Sequence, residues 1–278
     1  MTWRGTNTYL LGTRALAVID PGPDDPAHLD AILDALDPGQ SISHILVTHA
    51  HLDHSPLAPI LSEATGAPVY AYGDALAGRS DAMQALAESG MLQGGEGIDT
   101  AFRPDHCLTD GQIVQGDGWQ IQALWTPGHM GNHMCFDWQG QVLCGDLVMG
   151  WASSLVSPPD GDLSDFMTSC RRLLAQGATT LHPGHGAPIY DPVERIRWLI
   201  NHRETRESSI LHALKAGPAT PHELARAIYT DTPARLMPAA TRNVLAHLID
   251  MSGKSIITTD GALHAEARFQ LSKQAEQN

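Results

Sequence analysis

No run of this chain is apolar for long enough to cross a bilayer, which excludes a helical membrane span. Its start, MTWRGTNTYLL, lacks the basic region and small-residue cleavage site of a signal peptide, so a cytoplasmic protein with no membrane partner is expected. Cysteine is scarce and scattered: Cys107, Cys135, Cys144 and Cys170 form no C-x-x-C pair, which argues against a zinc ribbon or a redox motif. All four are expected to be buried, reduced thiols acting as small hydrophobes. Basic residues are scarce over most of the chain. Residues 1–192 hold six of them against 22 acidic ones, a net −16, whereas residues 193–278 hold 11 against nine, a net +2. The larger part therefore repels polyanions at long range unless bound cations and the C-terminal segment offset it locally.

What is present is enough for a full core. With 278 residues, 42% of them apolar and 17% charged, the chain reads as a catalytic-sized domain over 1–192 followed by a smaller one over 193–278. Short β-branched runs alternate with helical stretches and glycine turns in the first part, the signature of an α/β core. Strands are expected at Ala15–Ile19, His44–Thr48, Val69–Ala71, Ile121–Trp125, Met134–Asp137 and Gln141–Cys144, and helices at Asp25–Leu36 and Leu57–Thr65. LGTRALAVIDPG (11–22) and WQGQVLCGDLVM (138–149) each run turn, strand, aspartate, loop, and a histidine motif lies downstream of each. This faint repeat points to a sandwich of two sheets in place of one doubly wound sheet. The glycine-rich SGMLQGGEGIDT (89–100) reads as a surface loop, with a lid over a pocket as the sharper alternative.

The second part opens with a long amphipathic helix over Val193–Ala216. Thr220-Pro221-His222-Glu223 is a capping-box start, and Thr232-Pro233 repeats the cap and proline before a third helix reaching about Ser252. Ser255–Thr259, the turn Asp260-Gly261 and Ala262–Ala265 complete a small hairpin. Three helices and a hairpin make a winged-helix-like module.

The stretch THAHLDHSP (48–56) carries the chemistry. His-x-His-x-Asp-His arises by chance in roughly one chain in three hundred of this composition. On an extended segment His49 and His51 face the same way and can share a metal, while Asp53 and His54 follow at the turn into a helix, where they can face a second ion. The cluster needs partners from elsewhere. His129 in Trp125-Thr126-Pro127-Gly128-His129, Asp146 after Cys144-Gly145 and His185 in His182-Pro183-Gly184-His185-Gly186 each follow a strand, where sites in sheet-based folds gather.

These motifs strongly resemble the metallo-β-lactamase superfamily. The resemblance implies an αββα sandwich of two mixed β-sheets, with His49, His51 and His129 on one metal, Asp53, His54 and His185 on a second, and Asp146 bridging. It also implies that Asp20 of Ile19-Asp20-Pro21-Gly22 braces the histidine loop. Gly5-Thr6-Asn7-Thr8-Tyr9-Leu10, Thr126-Pro127-Gly128-His129, Pro183-Gly184-His185-Gly186 and NHRETRE (201–207) are similar to the lactamase-β-like branch, which carries a C-terminal winged helix and includes an endoribonuclease; fungal polyketide thioesterases are close in pattern. Pro56-Leu57 departs from the glycines of many relatives.

Two divalent ions would lower the pKa of a bound water toward neutrality and supply hydroxide without a serine or cysteine nucleophile. Zinc suits the histidine and aspartate donors, and iron or manganese is also accepted by such sites. Asp53 is the candidate catalytic residue, orienting the hydroxide and accepting its proton. No general acid and no substrate-binding residue is identified. His133, His44, His182, His202 and His212 read as structural or solvated, although His202 and Arg203 could reach the pocket; Asn7 and Tyr9 have the same status.

Three functions compete. A small-molecule ester or thioester hydrolase suits the acidic first part. An endoribonuclease acting on single-stranded RNA suits the family branch and the more basic C-terminal module, with Arg195, Arg197, Arg203, Arg206, Arg226, Arg235 and Arg242 as phosphate contacts. The alternative for these arginines, preferred here, is helix-surface solvation paired with Glu194, Glu204 and Glu207. A non-enzymatic winged-helix nucleic-acid binder accounts poorly for a carboxylate-bridged pair of metals. Oligomeric state is not readable from the sequence.

Overall fold

A computed structural model of the protein describes residues 5–90 and 97–274. The chain opens with β1 (Tyr9–Leu11), β2 (Ala15–Ile19), α1 (Pro26–Asp34), β3 (Ser41–Leu46), α2 (Leu57–Thr65), β4 (Val69–Ala71), α3 (Asp81–Glu88) and β5 (His106–Cys107). Their strands form one sheet in the order β1-β2-β3-β4-β5. A second sheet follows, ordered β10-β9-β8-β7-β6, from β6 (Ile113–Gly116), β7 (Trp119–Trp125), β8 (Met134–Trp138), β9 (Gln141–Gly145) and β10 (Thr180–Pro183), with α4 (Leu163–Gln176) crossing over between the last two.

Both sheets are mixed, and their plans echo each other. The hairpin β1–β2 ends at Asp20 and the hairpin β8–β9 ends at Asp146; β2 then pairs in parallel with β3, and β9 with β10. The strands β3 and β10 each lead into a histidine loop. The repeat visible in the sequence is therefore a structural one.

Apolar alternation explains the layering. Ala17, Ile19 and Leu46 of the first sheet meet Ile121, Ala123, Met134 and Phe136 of the second between the sheets. Val18, Ile45 and Val47 face outward onto Leu57 and Leu61 of α2, and Cys135, Val142 and Cys144 face outward onto Phe166, Cys170 and Leu173 of α4. The result is the expected αββα sandwich. Each fully buried leucine, such as Leu57 and Leu61, contributes about 2 kcal/mol relative to exposure.

The helix α5 (Pro192–Leu214) serves two cores: Ile196, Leu199 and Ile200 pack with α4, while Ile210 and Leu214 join α6 (Pro221–Ile228), α7 (Met237–Gly253), β11 (Ile257–Thr259) and β12 (Phe269–Leu271). The capping box is formed as expected, Thr220 Oγ1 accepting from the Glu223 N–H and Glu223 accepting from the Thr220 N–H. These elements make the winged helix. No helix among the described residues is long and apolar enough to cross a membrane.

Several local expectations are corrected. Strand β3 spans 41–46, not 44–48, because its parallel pairing with β2 ends at Leu46. Thr232-Pro233 opens only a short 3-10 turn (Ala234–Leu236), and the long helix begins at Met237 without a side-chain cap. The wing strand Ile257–Thr259 pairs with Phe269–Leu271, not with 262–265, because the apolar Phe269 supplies the buried partner. Cys135, Cys144 and Cys170 are buried, whereas Cys107 on the edge strand β5 is exposed. The heart of the loop expected at 89–100, residues 91–96, lies outside the described residues.

Candidate active site

The seven singled-out residues converge at one end of the sandwich from four chain segments. His49 and His51 do so from a loop, not from a strand. His51 instead forms an isolated bridge with Ile98, and the Leu52 and Asp99 amides complete the tie to the 97–99 backbone. Asp99 in turn accepts from Ser55 Oγ at 2.7 Å, so the start of α2 is fixed from the same side.

Two triads result, His49/His51/His129 and Asp53/His54/His185, each with ligand atoms within 4.8 Å of one another, and a third group joins His49 and His54 to Asp146. In the first, His51 Nδ1 lies 3.0 Å from His49 Nε2 and 3.2 Å from His129 Nε2. In the second, His185 Nε2 lies 3.2 Å from Asp53 Oδ2. Asp146 touches both sides: Oδ2 is 3.7 Å from His129 Nε2 and 3.3 Å from His185 Nε2, and Oδ1 is 3.6 Å from His54 Nε2.

The surroundings decide which ring nitrogens face inward. A backbone carbonyl can only accept, so His129 Nδ1–H donates to Leu155 O (2.7 Å) and His185 Nδ1–H to Gly5 O (2.9 Å). His54 Nδ1–H donates to Asp20 Oδ2 at 2.9 Å. Thr48 gives its hydroxyl proton to Asp20 Oδ2 and so accepts from His49 Nδ1–H. In four of the five histidines, Nε2 is thus turned inward by a partner on the far side of the ring, the arrangement that orients metal-binding imidazoles.

Asp20 is the hub of this bracing. Buried, with φ +52, it holds Thr48 N–H through Oδ1 and both Thr48 Oγ1–H and His54 Nδ1–H through Oδ2. Asn7 and Tyr9, undecided from the sequence, clamp the other histidine loop: Asn7 Nδ2 donates to Pro183 O and Gly186 O, and the Tyr9 hydroxyl to Pro183 O. His133 is buried beside Asp146, accepting its backbone N–H at Nε2. Thr48 and the Leu155 carbonyl join the site unannounced by the sequence: Thr48 only adjoins the histidine motif, and a backbone carbonyl leaves no mark in sequence.

Electrostatics divide the site. Burial, then repulsion by His129, pushes His51 down to about 3, and burial with four neighbouring histidines holds His49 well below the ordinary range. Those rings are neutral lone-pair donors. Against burial, the Asp20 and Asp146 carboxylates raise His54 to about 9, and hydrogen bonds to Asp146 and Asp53 raise His185 to about 11. Both aspartates, despite burial, are held well below the carboxylate range by those histidines. This half attracts positive charge.

A divalent metal fits. His54 Nε2 and Asp146 Oδ1 are buried without a hydrogen-bond partner among the described residues, a costly arrangement that ligation removes. The rim is partly apolar: Trp151, 56% exposed, lies against Gly186, and Leu52, 51% exposed, sits between His51 and Asp53.

Neither His202 nor Arg203 reaches this pocket. His202 stacks on Trp198, and Arg203 is buried between α5, Ser154 and Asn243. Arg195 also points inward, donating to Met149 O and Ala152 O. Glu204 pairs with Arg171 of α4, not with an arginine of α5.

Comparison with known proteins gives a consistent result. Residues 1–185 match the profile of the metallo-beta-lactamase superfamily, and residues 220–261 that of a beta-lactamase associated winged helix domain. The chain is 30% identical over 289 residues to the beta-lactamase-like protein 2 homolog of Drosophila melanogaster, covering 100% of this chain and 88% of that protein. It is also 30% identical over 255 residues to an atrochrysone carboxyl ACP thioesterase of Aspergillus fumigatus, covering 84% and 71%. Among solved structures, a metallo-beta-lactamase family protein from Thermus thermophilus superposes with a TM-score of 0.74 at 26% identity, covering 96% of this chain and 93% of that one.

Proposed function

The chain belongs to the metallo-β-lactamase superfamily as a hydrolase of that fold with an associated winged helix, and from that premise we propose that it is a dinuclear metal-dependent hydrolase of small-molecule thioesters or esters. The observation that carries this reading is the pair of triads sharing Asp146. His49, His51 and His129 would hold one ion, Asp53, His54 and His185 the other, and Asp146 both. Zinc suits these donors, with iron or manganese as chemically acceptable substitutes.

When bound, such ions make water acidic enough to be a nucleophile at neutral pH and polarise the acyl oxygen. The chain supplies the rest. Asp53 is the one member of the second triad with substantial exposure, its side chain 31% accessible, and its Oδ2 accepts from the Thr6 hydroxyl (3.1 Å) and lies 3.2 Å from His185 Nε2, on the side that would face the ion. Oδ1 is thereby left to accept the proton of the attacking water. Attack on the carbonyl carbon and cleavage of the C–S bond release a carboxylic acid and a thiolate. A thiolate departs without protonation, so no general acid is required of the chain. Trp151 and Leu52 offer the acyl group an apolar wall.

The charge distribution also favours an acyl substrate over a polyanion. The first 192 residues carry net −16. Of the seven arginines that could grip phosphates, Arg195 and Arg203 are engaged on interior carbonyls and Arg206 stacks 4.2 Å over Tyr229. Single-stranded RNA is the competing substrate, through the exposed Arg197, Arg226 and Arg235.

The test is hydrolysis of a thioester panel and of a fluorogenic single-stranded RNA by zinc- and manganese-loaded protein, with His51→Ala as the blank. Thioester turnover lost in the variant is expected. RNA cleavage lost in the variant, with every thioester untouched, would put the endoribonuclease in its place.

A further inference from the structure

The winged-helix module reaches the candidate metal site through a single peptide plane. Leu155 O, which accepts from His129 Nδ1–H at 2.7 Å, belongs to the same peptide unit as Val156 N–H, which donates to Asn243 Oδ1 of α7 at 3.3 Å. A trans peptide is planar, with its C=O and N–H pointing in opposite directions, so holding one end aims the other. Asn243 Oδ1 also accepts from Arg203 Nη1 at 3.0 Å, and Arg203 Nη2 donates to Ser154 O, the carbonyl one residue before. Two donors converge on Oδ1, which fixes which end of the Asn243 amide faces the segment.

The core of the brace is buried, with Leu155 and Asn243 half-buried at its two ends. Arg203 is 2% exposed, its guanidinium carbon 5.1 Å from the centroid of the Phe166 ring, and Ser154 and Val156 are fully buried. Burying a guanidinium is costly unless its donors are placed, and here Nη2 holds the Ser154 carbonyl next to the site while Nη1 holds the Asn243 amide oxygen.

We propose that Asn243 and Arg203 are positioning residues for His129: helix α7 of the winged helix sets the direction of the Leu155 carbonyl, and with it the tautomer and aim of the His129 ring. The module is then a structural part of the catalytic centre. This rests on the reading of His129 as a metal ligand.

The test compares Asn243→Ala, which removes the acceptor, with Asn243→Asp, which keeps it, and with Val244→Ala, which opens a cavity in the winged-helix core beside it and leaves the link intact. Arg203→Lys, keeping the charge but losing the fork, is the second probe of the same brace should Asn243→Ala fail to fold. Two readouts are taken: the stepwise zinc dissociation constants by competition with a chromophoric chelator, and the histidine 15N NMR signature of the His129 Nδ1–H tautomer in metal-free protein. Asn243→Ala or Arg203→Lys is expected to weaken one zinc step about tenfold and leave the other unchanged, with the Nδ1–H signature broadened or shifted. Asn243→Asp should stay within about threefold of wild type, and Val244→Ala should alter neither readout. Unchanged zinc steps and an intact Nδ1–H in the brace variants would overturn the proposal, as would an equal loss in Val244→Ala. Failure of the wild type to bind zinc would instead sink the metal reading, with the metal-free NMR comparison still deciding the brace.

Discussion

At the scale of single residues, the site depends on what stands behind the imidazoles. Asp20 adopts φ +52, a conformation that asparagine accepts readily and most residues do not. Asp20→Asn therefore keeps the backbone but presents an NH2 to either His54 Nδ1–H or Thr48, where only an acceptor fits. The expected result is a 10- to 100-fold loss of metal affinity with little change in folding, read by chelator competition. His247 tells a different story. It is 1% exposed, with neither ring nitrogen partnered among the described residues, and burial together with Arg203, Arg206 and His202 pushes it down to about 3. Its folded pKa lies below the unfolded value, so the unfolded chain binds more protons between about 6.5 and 3, and stability is lost as pH falls through that window. His247→Leu should stabilise the protein at pH 7 by about 1–3 kcal/mol by removing unpaired polar atoms, and should flatten the acid side of the stability curve. Urea midpoints from pH 7 to pH 4 that run parallel for variant and wild type would refute this.

At the scale of elements, the parts legible in the sequence are those with local causes. Helix α2 spans Leu57–Thr65, as its apolar spacing indicates, and the capping box at Thr220 forms because its two partners are three residues apart. The wing departs from its expected pairing because Phe269 lies eight residues beyond the turn at Asp260-Gly261, too far for a hairpin rule to connect. The third helix starts later than its cap signal suggests because Thr232 is followed by a 3-10 turn. The seven candidate ligands stand out locally, in one histidine motif and at three strand ends, but only a resemblance that joins His49 to His185 across 136 positions sorts them between two ions; composition and periodicity carry no such information. The clamps on those ligands, Thr48, the Leu155 carbonyl and Asn243, depend on tertiary placement and leave no signal. Glycine at 184 is an element-scale constraint: a Cβ there would collide with Asp146 Oδ1 and lie 2.7 Å from His54 Cε1. Gly184→Ala should abolish binding at the Asp53/His54/His185 triad and activity with it, while far-UV circular dichroism stays at the wild-type level. Full metal content in this variant would show that the β10 loop moves aside.

At the scale of the whole molecule, charge and architecture point the same way. An acidic first part with a carboxylate-rich pocket draws cations in and holds polyanions off. The winged helix, by contrast, directs part of its basic equipment inward: α5 enters both hydrophobic cores and turns Arg195 and Arg203 onto the segment that carries Asp146 and Trp151. Through these contacts the module holds backbone of the catalytic part that leads away from Asp146. The proposed cage, built from both sheets, holds two ions. Equilibrium dialysis of metal-stripped protein against zinc, followed by elemental analysis, counts them. Two tightly held zinc ions per chain are expected in the wild type and one in His185→Ala; a wild type that saturates at one ion, or a His185→Ala variant that still holds two, would contradict this.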